Sequence, residues 1–365
     1  MNNVSNFVRE HIQNLPAYQP ILPLDVLSDE LGIPVEHLIK LDANENPYGP
    51  IPEVFQTLSV LNTIHIYPDP DSRRIKEQIA RHHNISENSI VVSAGADELI
   101  DLIMRLCLDP GDKHINCPPT FGMYAFDGAL NQAQTITVPR LPDFSLDLNG
   151  IRAAVADHQP KLLFLANPNN PDGGLISEEE FNQLVNLPLL LVMDEAYIHF
   201  SDQGTSVIDR VCKHQNLIVL RTFSKWAGLA GLRIGYGVFP EQLVPTLMKA
   251  KQPYNVSVAA QEAAVATMNH ISKASENISR IIAGRSYLID ALSEIPWLDT
   301  YPSQANFVLC RVKGISAVKV KDQLRAQGIL IRYFDKPRLS DHIRISVGTI
   351  PHMQTSRTIS HSSPL

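Results

Sequence analysis

The 365-residue chain has few cysteines, no excess of positive charge and no long hydrophobic run. Cys107, Cys117, Cys212 and Cys310 are scattered and form no CxxC pair, so zinc and thiol-redox readings are weak. A reduced, cytoplasmic setting is expected on this cysteine usage. Against 31 basic residues stand 38 acidic ones, a formal net charge of −7, which gives nucleic acid no basic surface to bind. Apolar stretches are strand-length and interrupted, far short of a membrane span. The first six residues lack a charged segment followed by an apolar one, so no signal peptide is expected. Neither a P-loop nor a GxGxxG is present, which removes two common nucleotide fingerprints. His82-His83 is the one adjacent histidine pair, no HExxH accompanies it, and it reads as a solvated helix face.

What is present suits a soluble globular protein. Hydrophobic residues make up 44% and charged residues 19%, and the length allows two domains. The first fifty residues are irregular and proline-rich, with a short helix expected at 25–31 and a polar turn at 41–50 that serves either turn chemistry or a site wall. A helix is expected over 72–83 with Ser72 as its cap. From Ser89 onward, short apolar strands alternate with helices, which implies a mostly parallel sheet covered on both faces. After Tyr254 the pattern changes to a long helix over 259–292, with Arg280 and Arg285 on its polar side, and then to strand, helix and two strands. The expected architecture is α/β, a large domain over 49–254 with a smaller α+β domain built from 1–48 and 255–350. The last stretch, 351–365, has no apolar stripe and reads as an irregular tail.

Four strands carry unusual polar residues just past their carboxyl ends, the place where open α/β sheets bind ligands. Ser93-Ala94-Gly95-Ala96-Asp97-Glu98 turns a strand into a helix N-terminus, which is either an anion cradle or an ordinary turn with its dipole balanced by acids. The strand over 161–166 ends in Asn167-Pro168-Asn169-Asn170, and the strand over 189–193 ends in Asp194-Glu195-Ala196-Tyr197. Glu195 reads as structural or solvated. The strand over 217–220 leads to Thr222-Phe223-Ser224-Lys225-Trp226, followed by glycines at 228, 231, 235 and 237 and by Arg233. Alone, Lys225 is either a solvated lysine or a desolvated nucleophile able to hold an aldehyde cofactor as a Schiff base. Together, the strand ends supply what a phosphorylated pyridine aldehyde requires: a lysine, a phosphate cradle, a carboxylate for the ring nitrogen, donors for the ring oxygen and an aromatic face.

This order of motifs resembles the fold type I pyridoxal-phosphate-dependent aminotransferases, class II. The fuller set is similar to the histidinol-phosphate aminotransferase family, through Leu41 to Pro47, Tyr67 to Pro70, Gly95 to Glu98, Pro118 to Tyr124, Asn167 to Gly173, Asp194 to Tyr197, Thr222 to Gly235, Ala305 to Phe307 and His342 to Thr349. The resemblance implies pyridoxal 5′-phosphate as cofactor, with Lys225 bonded to its aldehyde and shuttling the proton. It implies Asp194 at the pyridinium nitrogen, Tyr197 and Asn170 at the ring oxygen, and Phe121 stacked on the ring. Gly95, Ala96, Asp97, Ser224 and Arg233 are implied at the phosphate. Tyr67 is implied to reach a partner subunit's cofactor, hence a homodimer, and Tyr18, Asn44, Arg332 and Arg344 to line the substrate side. Without the resemblance, Arg344 reads as a surface arginine and Tyr18 as an anchor of the N-terminal arm. No metal is implied. The implied reaction is transamination between histidinol phosphate and 2-oxoglutarate, small-molecule donor and acceptor, in histidine biosynthesis. Sister activities on the same scaffold are aromatic amino-acid transamination and threonine-phosphate decarboxylation; a non-catalytic regulatory protein of this fold is the alternative from another class.

Three positions depart from the family pattern. Phe121 stands where tyrosine is frequent, Asp172 where threonine is common, and the chain after Thr349 lacks the expected charged helix.

Overall fold

A computed structural model describes residues 4–16, 21–202 and 204–354. Its strands are β1 (Ile39–Leu41), β2 (Ile90–Ser93), β3 (Lys113–Asn116), β4 (Gln134–Thr137), β5 (Leu162–Ala166), β6 (Leu190–Asp194), β7 (Leu217–Thr222), β8 (Gly235–Val238), β9 (Leu298–Thr300), β10 (Phe307–Val312), β11 (Ile329–Tyr333) and β12 (His342–Ser346). Seven of them form one sheet in the order β2-β8-β7-β6-β5-β3-β4. Only β8 runs antiparallel to its neighbours; the remaining pairs are parallel. The expected α/β class holds, since helices cover both faces and a second, five-stranded sheet, β1-β11-β12-β10-β9, completes the fold.

The central strands read as continuous apolar runs because both of their faces are buried. Alternation divides them between two cores. Leu163, Leu165, Leu191, Met193, Leu217 and Val219 belong to one apolar cluster, and Leu162, Phe164, Val192, Ile218 and Leu220 to the other. The same alternation carries on into the polar residues at the strand ends. Asp194 therefore leaves β6 toward the face that holds Tyr124 and Phe164, and Glu195 toward the opposite one.

In the second sheet, β1 pairs parallel with β11, and β12 lies antiparallel between β11 and β10. This brings the chain just after Leu41 beside the C-terminal strands. Asn44 donates its backbone N–H to Ser346 Oγ at 2.9 Å, a contact spanning 302 residues.

Several local expectations are corrected. Ser72 does not cap its helix: it has φ 50° and no capping bond, and Asp69 accepts the Arg73 N–H at 2.9 Å instead. The long helix breaks at His270 into Val258–Asn269 and Ile271–Ser293. Arg285 is buried rather than on a polar face, donating to the carbonyls of Phe200 and Ala305 at 2.8 and 3.0 Å. Residues 350–354, expected to be irregular from 351 onward, are helical, and Met353 is buried against Gly284. No helix among the described residues is long and apolar enough to cross a membrane.

Candidate active site

At the carboxyl edge of the large sheet lies a cavity of about 240 Å³. Ala96, Asp97, Phe121, Asn170, Asp194, Tyr197, Ser224, Lys225 and Arg233 all line it, so residues scattered over 138 positions of sequence reach one space. Each comes from a strand end or the turn that follows it, as the alternation of strand and helix requires.

One end of the cavity is built for an anion. The helix Ala96–Cys107 opens there with free N–H groups and a favourable dipole. Arg233, in the left-handed region at φ 53°, turns back so that its NH1 lies 3.4 Å from Ser224 Oγ and its NH2 3.6 Å from Asp97 Oδ2. Gly95 has φ +93°, and a Cβ there would stand 2.5 Å from the Arg233 guanidinium. The missing side chain is thus what lets the arginine close over the helix N-terminus. Gly228, at φ +70°, is needed for a second close approach: a Cβ would meet the Gly49 carbonyl carbon at 2.5 Å.

At the other wall stands Asp194, buried, with Tyr124 donating to its Oδ2 at 2.8 Å and the Ala196 N–H to its Oδ1 at 3.1 Å. Burial raises its pKa to about 6, against the Tyr124 bond, which lowers it. A buried carboxylate in this state gains from a cation placed against it. Tyr124 was not singled out from the sequence. It stands in the first turn of the helix that follows Phe121, inside the stretch Pro118 to Tyr124, which was the available signal.

Lys225 is half-buried between these two ends, and its Nζ donates to the Ala43 carbonyl at 3.2 Å. Burial, then the positive Arg344 nearby, lower its pKa to about 8. It is therefore no ordinary solvated lysine: about a tenth of it is neutral at pH 7, far more than for a solvated lysine. Tyr197 is buried beside it, its hydroxyl accepting from Asn44 Nδ2 at 3.0 Å, and burial raises its pKa.

The substrate-side residues are distributed less simply. Arg344 is buried, not on the surface, donating to Asn170 Oδ1 at 2.5 Å and to the Asp42 carbonyl at 2.8 Å. Arg332 is paired with it across β11 and β12 but lines an adjoining pocket of about 270 Å³ together with Asp42 and Tyr333. Asn44 is buried with φ 54° and is engaged by Tyr197 and Ser346, so its side chain orients Tyr197. Tyr67 is 80% exposed, away from this chain's cavity, and packs on Tyr254 with ring centroids 4.7 Å apart. Tyr18 lies outside the described residues. Asp172, the departure from threonine, is buried and accepts from Asn169 and from the Gly174 N–H.

Two other readings are settled by contacts. Glu195 is structural, fully buried against Arg221 at 2.8 Å. The His82-His83 pair is not simply a solvated face, because His83 Nε2 lies 3.0 Å from the Tyr236 hydroxyl.

The model of the family described as aminotransferase class I and II matches residues 36–360. The chain belongs to the class I and II aminotransferases. Among curated members, a chloroplastic histidinol-phosphate aminotransferase from Nicotiana plumbaginifolia is 49% identical over 349 residues, covering 95% of this chain and 84% of the relative. The histidinol-phosphate aminotransferase of Roseiflexus castenholzii is 48% identical over 354 residues, with 95% of both chains covered. A crystal structure of histidinol-phosphate aminotransferase from Sinorhizobium meliloti in complex with pyridoxal-5′-phosphate matches with a TM-score of 0.89 at 28% identity, covering 98% of this chain and 97% of that one. In this aminotransferase, then, the cavity at the strand ends is the candidate cofactor site.

Proposed function

We propose that the chain is a pyridoxal-phosphate-dependent aminotransferase that interconverts L-histidinol phosphate and 2-oxoglutarate with imidazole acetol phosphate and L-glutamate. The observation that carries the chemistry is Lys225, half-buried with its pKa at about 8, set between an anion cradle and a buried carboxylate. The substrate assignment is supported by relatives of that name at 48–49% identity across nearly the whole chain.

The residues present fit the cofactor. The space above Gly95, which a Cβ would fill, suits a phosphate held by the helix N-terminus, Ser224 and Arg233. Asp194 is buried and burial raises its pKa, so a protonated ring nitrogen placed against it would favour its ionised form. When bound, pyridoxal 5′-phosphate supplies an aldehyde for amines and a ring that draws electrons from the substrate's α-carbon. Lys225, in its neutral form, would hold the aldehyde carbon, and its Nζ is the group that would carry the α-proton. Asp194, oriented by Tyr124, would keep the ring nitrogen protonated. Tyr197 and Asn170 would donate to the ring oxygen, and Phe121 would cover the ring face. Arg344, with Arg332 adjoining, binds the oxyanion of either substrate. A guanidinium fork suits a phosphate and a carboxylate alike, so one site serves both half-reactions.

The proposal extends to assembly and setting. The exposed Tyr67 and its neighbours Ile64, Ile66 and Tyr254 form an apolar patch that suits a second copy of the chain, with Tyr67 delivered to the partner's cofactor phosphate. Residues 49–254 form the large domain and 1–48 with 255–350 the small one, whose core the helical turn 350–354 joins. The cytoplasm is the proposed compartment, supported by four free cysteines.

A substrate panel on purified holoenzyme tests the assignment. Turnover of histidinol phosphate should exceed that of phenylalanine and threonine phosphate; no activity with the first overturns the substrate. Borohydride treatment should fix the cofactor on Lys225. Label on another lysine overturns the site.

A further inference from the structure

Neighbouring strands β6 and β7 are in parallel register up to the Asp194–Leu220 rung. One residue further along each strand, Glu195 and Arg221 meet side chain to side chain. The guanidinium donates to Glu195 Oε2 through Nε at 3.0 Å and NH2 at 2.8 Å. Glu195 has no exposure and Arg221 only 4%. Their remaining valences are taken up locally. Val207 N–H donates to Glu195 Oε1 at 2.7 Å, Ser206 Oγ to Oε2 at 2.8 Å, and Arg221 NH2 reaches Ser206 Oγ at 2.7 Å. His83 Nε2 stands 3.4 Å from Arg221 NH1 and 3.0 Å from the Tyr236 hydroxyl. None of these groups lines the cavity.

Burying two charges is costly, and a well-packed apolar pair commonly stabilises a core as well or better. What the apolar pair lacks is direction. The ion pair fixes one guanidinium plane against one carboxylate, and so fixes the segment after Asp194 against the segment leading to Lys225. That spacing matters because the two residues must meet opposite ends of one rigid ring, and a shift of about 1 Å can cost about a hundredfold in rate.

We propose that Arg221 and Glu195 form a positioning clamp for transamination, setting the span between Asp194 and Lys225 from the far face of the sheet. The inference rests on the reading of those two residues as the cofactor's partners. Arg221 and Glu195 touch neither cofactor nor substrate; His83, Tyr236 and Ser206 hold the clamp in place.

The test compares wild type, the apolar double variant Arg221→Met with Glu195→Leu, and the single variants Arg221→Lys and Glu195→Gln. Each apo-protein is mixed with pyridoxal 5′-phosphate, reduced with borohydride at timed intervals, and the rate of label arriving on Lys225 is measured across pH. The thermal midpoint and steady-state kcat and KM are measured alongside. The double variant should keep its thermal midpoint while capture rate and kcat fall by about a hundredfold, with KM changed far less. Arg221→Lys keeps the charge but loses the two-nitrogen contact with Oε2, and Glu195→Gln loses the charge and sets an amide donor where one carboxylate oxygen accepted; each should lose about tenfold in both, and they decide the matter if the double variant does not fold. Wild-type capture and kcat in folded variants overturn the clamp. Absence of label on Lys225 in the wild type overturns the functional reading and the clamp with it.

Discussion

Tyr124 donates its phenolic hydrogen to Oδ2 of Asp194 across 2.8 Å, and both side chains are buried. The donor comes from the helix Met123–Leu130 and the acceptor from the end of β6, so the bond ties the loop that carries Phe121 to the carboxylate beneath the ring site. This bond lowers an Asp194 pKa that burial has raised to about 6. Tyr124→Phe removes the donor, so the carboxyl pKa rises further and less of it is ionised at pH 7. The dissociation constant for pyridoxal 5′-phosphate should rise about tenfold, the usual loss for a hydrogen bond to a charged group. The deficit should grow as pH falls, because the carboxylate is protonated at a higher pH than in the wild type. Equilibrium cofactor titrations at several pH values check this.

Gly95 is required by both its backbone and its space. At φ +93° a side chain is strained, at roughly 1–2 kcal/mol, and its Cβ would displace the Arg233 guanidinium. Gly95→Ala should fold but bind pyridoxal 5′-phosphate at least about tenfold more weakly, with the loss residing in phosphate recognition. Pyridoxal without the phosphate should bind the variant and the wild type alike. Isothermal titration with the two ligands separates these outcomes.

Asp127 sits in the same helix as Tyr124, buried, with Oδ2 lacking a hydrogen-bond partner. Burial, then Asp101 and Asp97, raise its pKa to about 7. A carboxyl whose folded pKa lies above its unfolded value favours folding at low pH and loses that contribution as pH rises toward 7. Asp127→Asn should therefore leave stability nearly unchanged near pH 4 and increase it by on the order of 2 kcal/mol at pH 8. Urea unfolding of the apo-protein at both pH values provides the measurement.

Met353 is 1% exposed and packs where Gly284 leaves room in the helix Ile271–Ser293. The C-terminal helical turn thus closes part of the core beneath β12. Met353→Ala should cost about 2–5 kcal/mol in unfolding free energy while leaving cofactor affinity at wild-type level. Chemical unfolding followed by fluorescence, paired with a cofactor titration, tests both halves.

The strands and the chemistry at their ends were legible because both depend on neighbours in sequence. Runs such as Leu162–Ala166 and Leu190–Asp194 identify strands buried on both faces by composition alone, whereas Gly95 before a helix left an anion cradle and an ordinary turn both open. Ser72 and His270 escaped the reading for an equally local reason. A cap residue and a helical periodicity are preferences, and Asp69 or a single altered backbone angle overrides them.

What the tertiary structure decided are the pairings between distant residues. Sequence could not tell whether Glu195 was solvated, since its partner Arg221 lies 26 residues on, in the next strand of the sheet. It could not connect Tyr124 with Asp194 across 70 residues, nor Asn44 with Ser346 across 302. Side-chain alternation is written locally and fixes that Asp194 and Glu195 face opposite ways. Which groups await them on each face depends on strand order and on the packing of helices against the sheet, which arise only when the whole chain has collapsed.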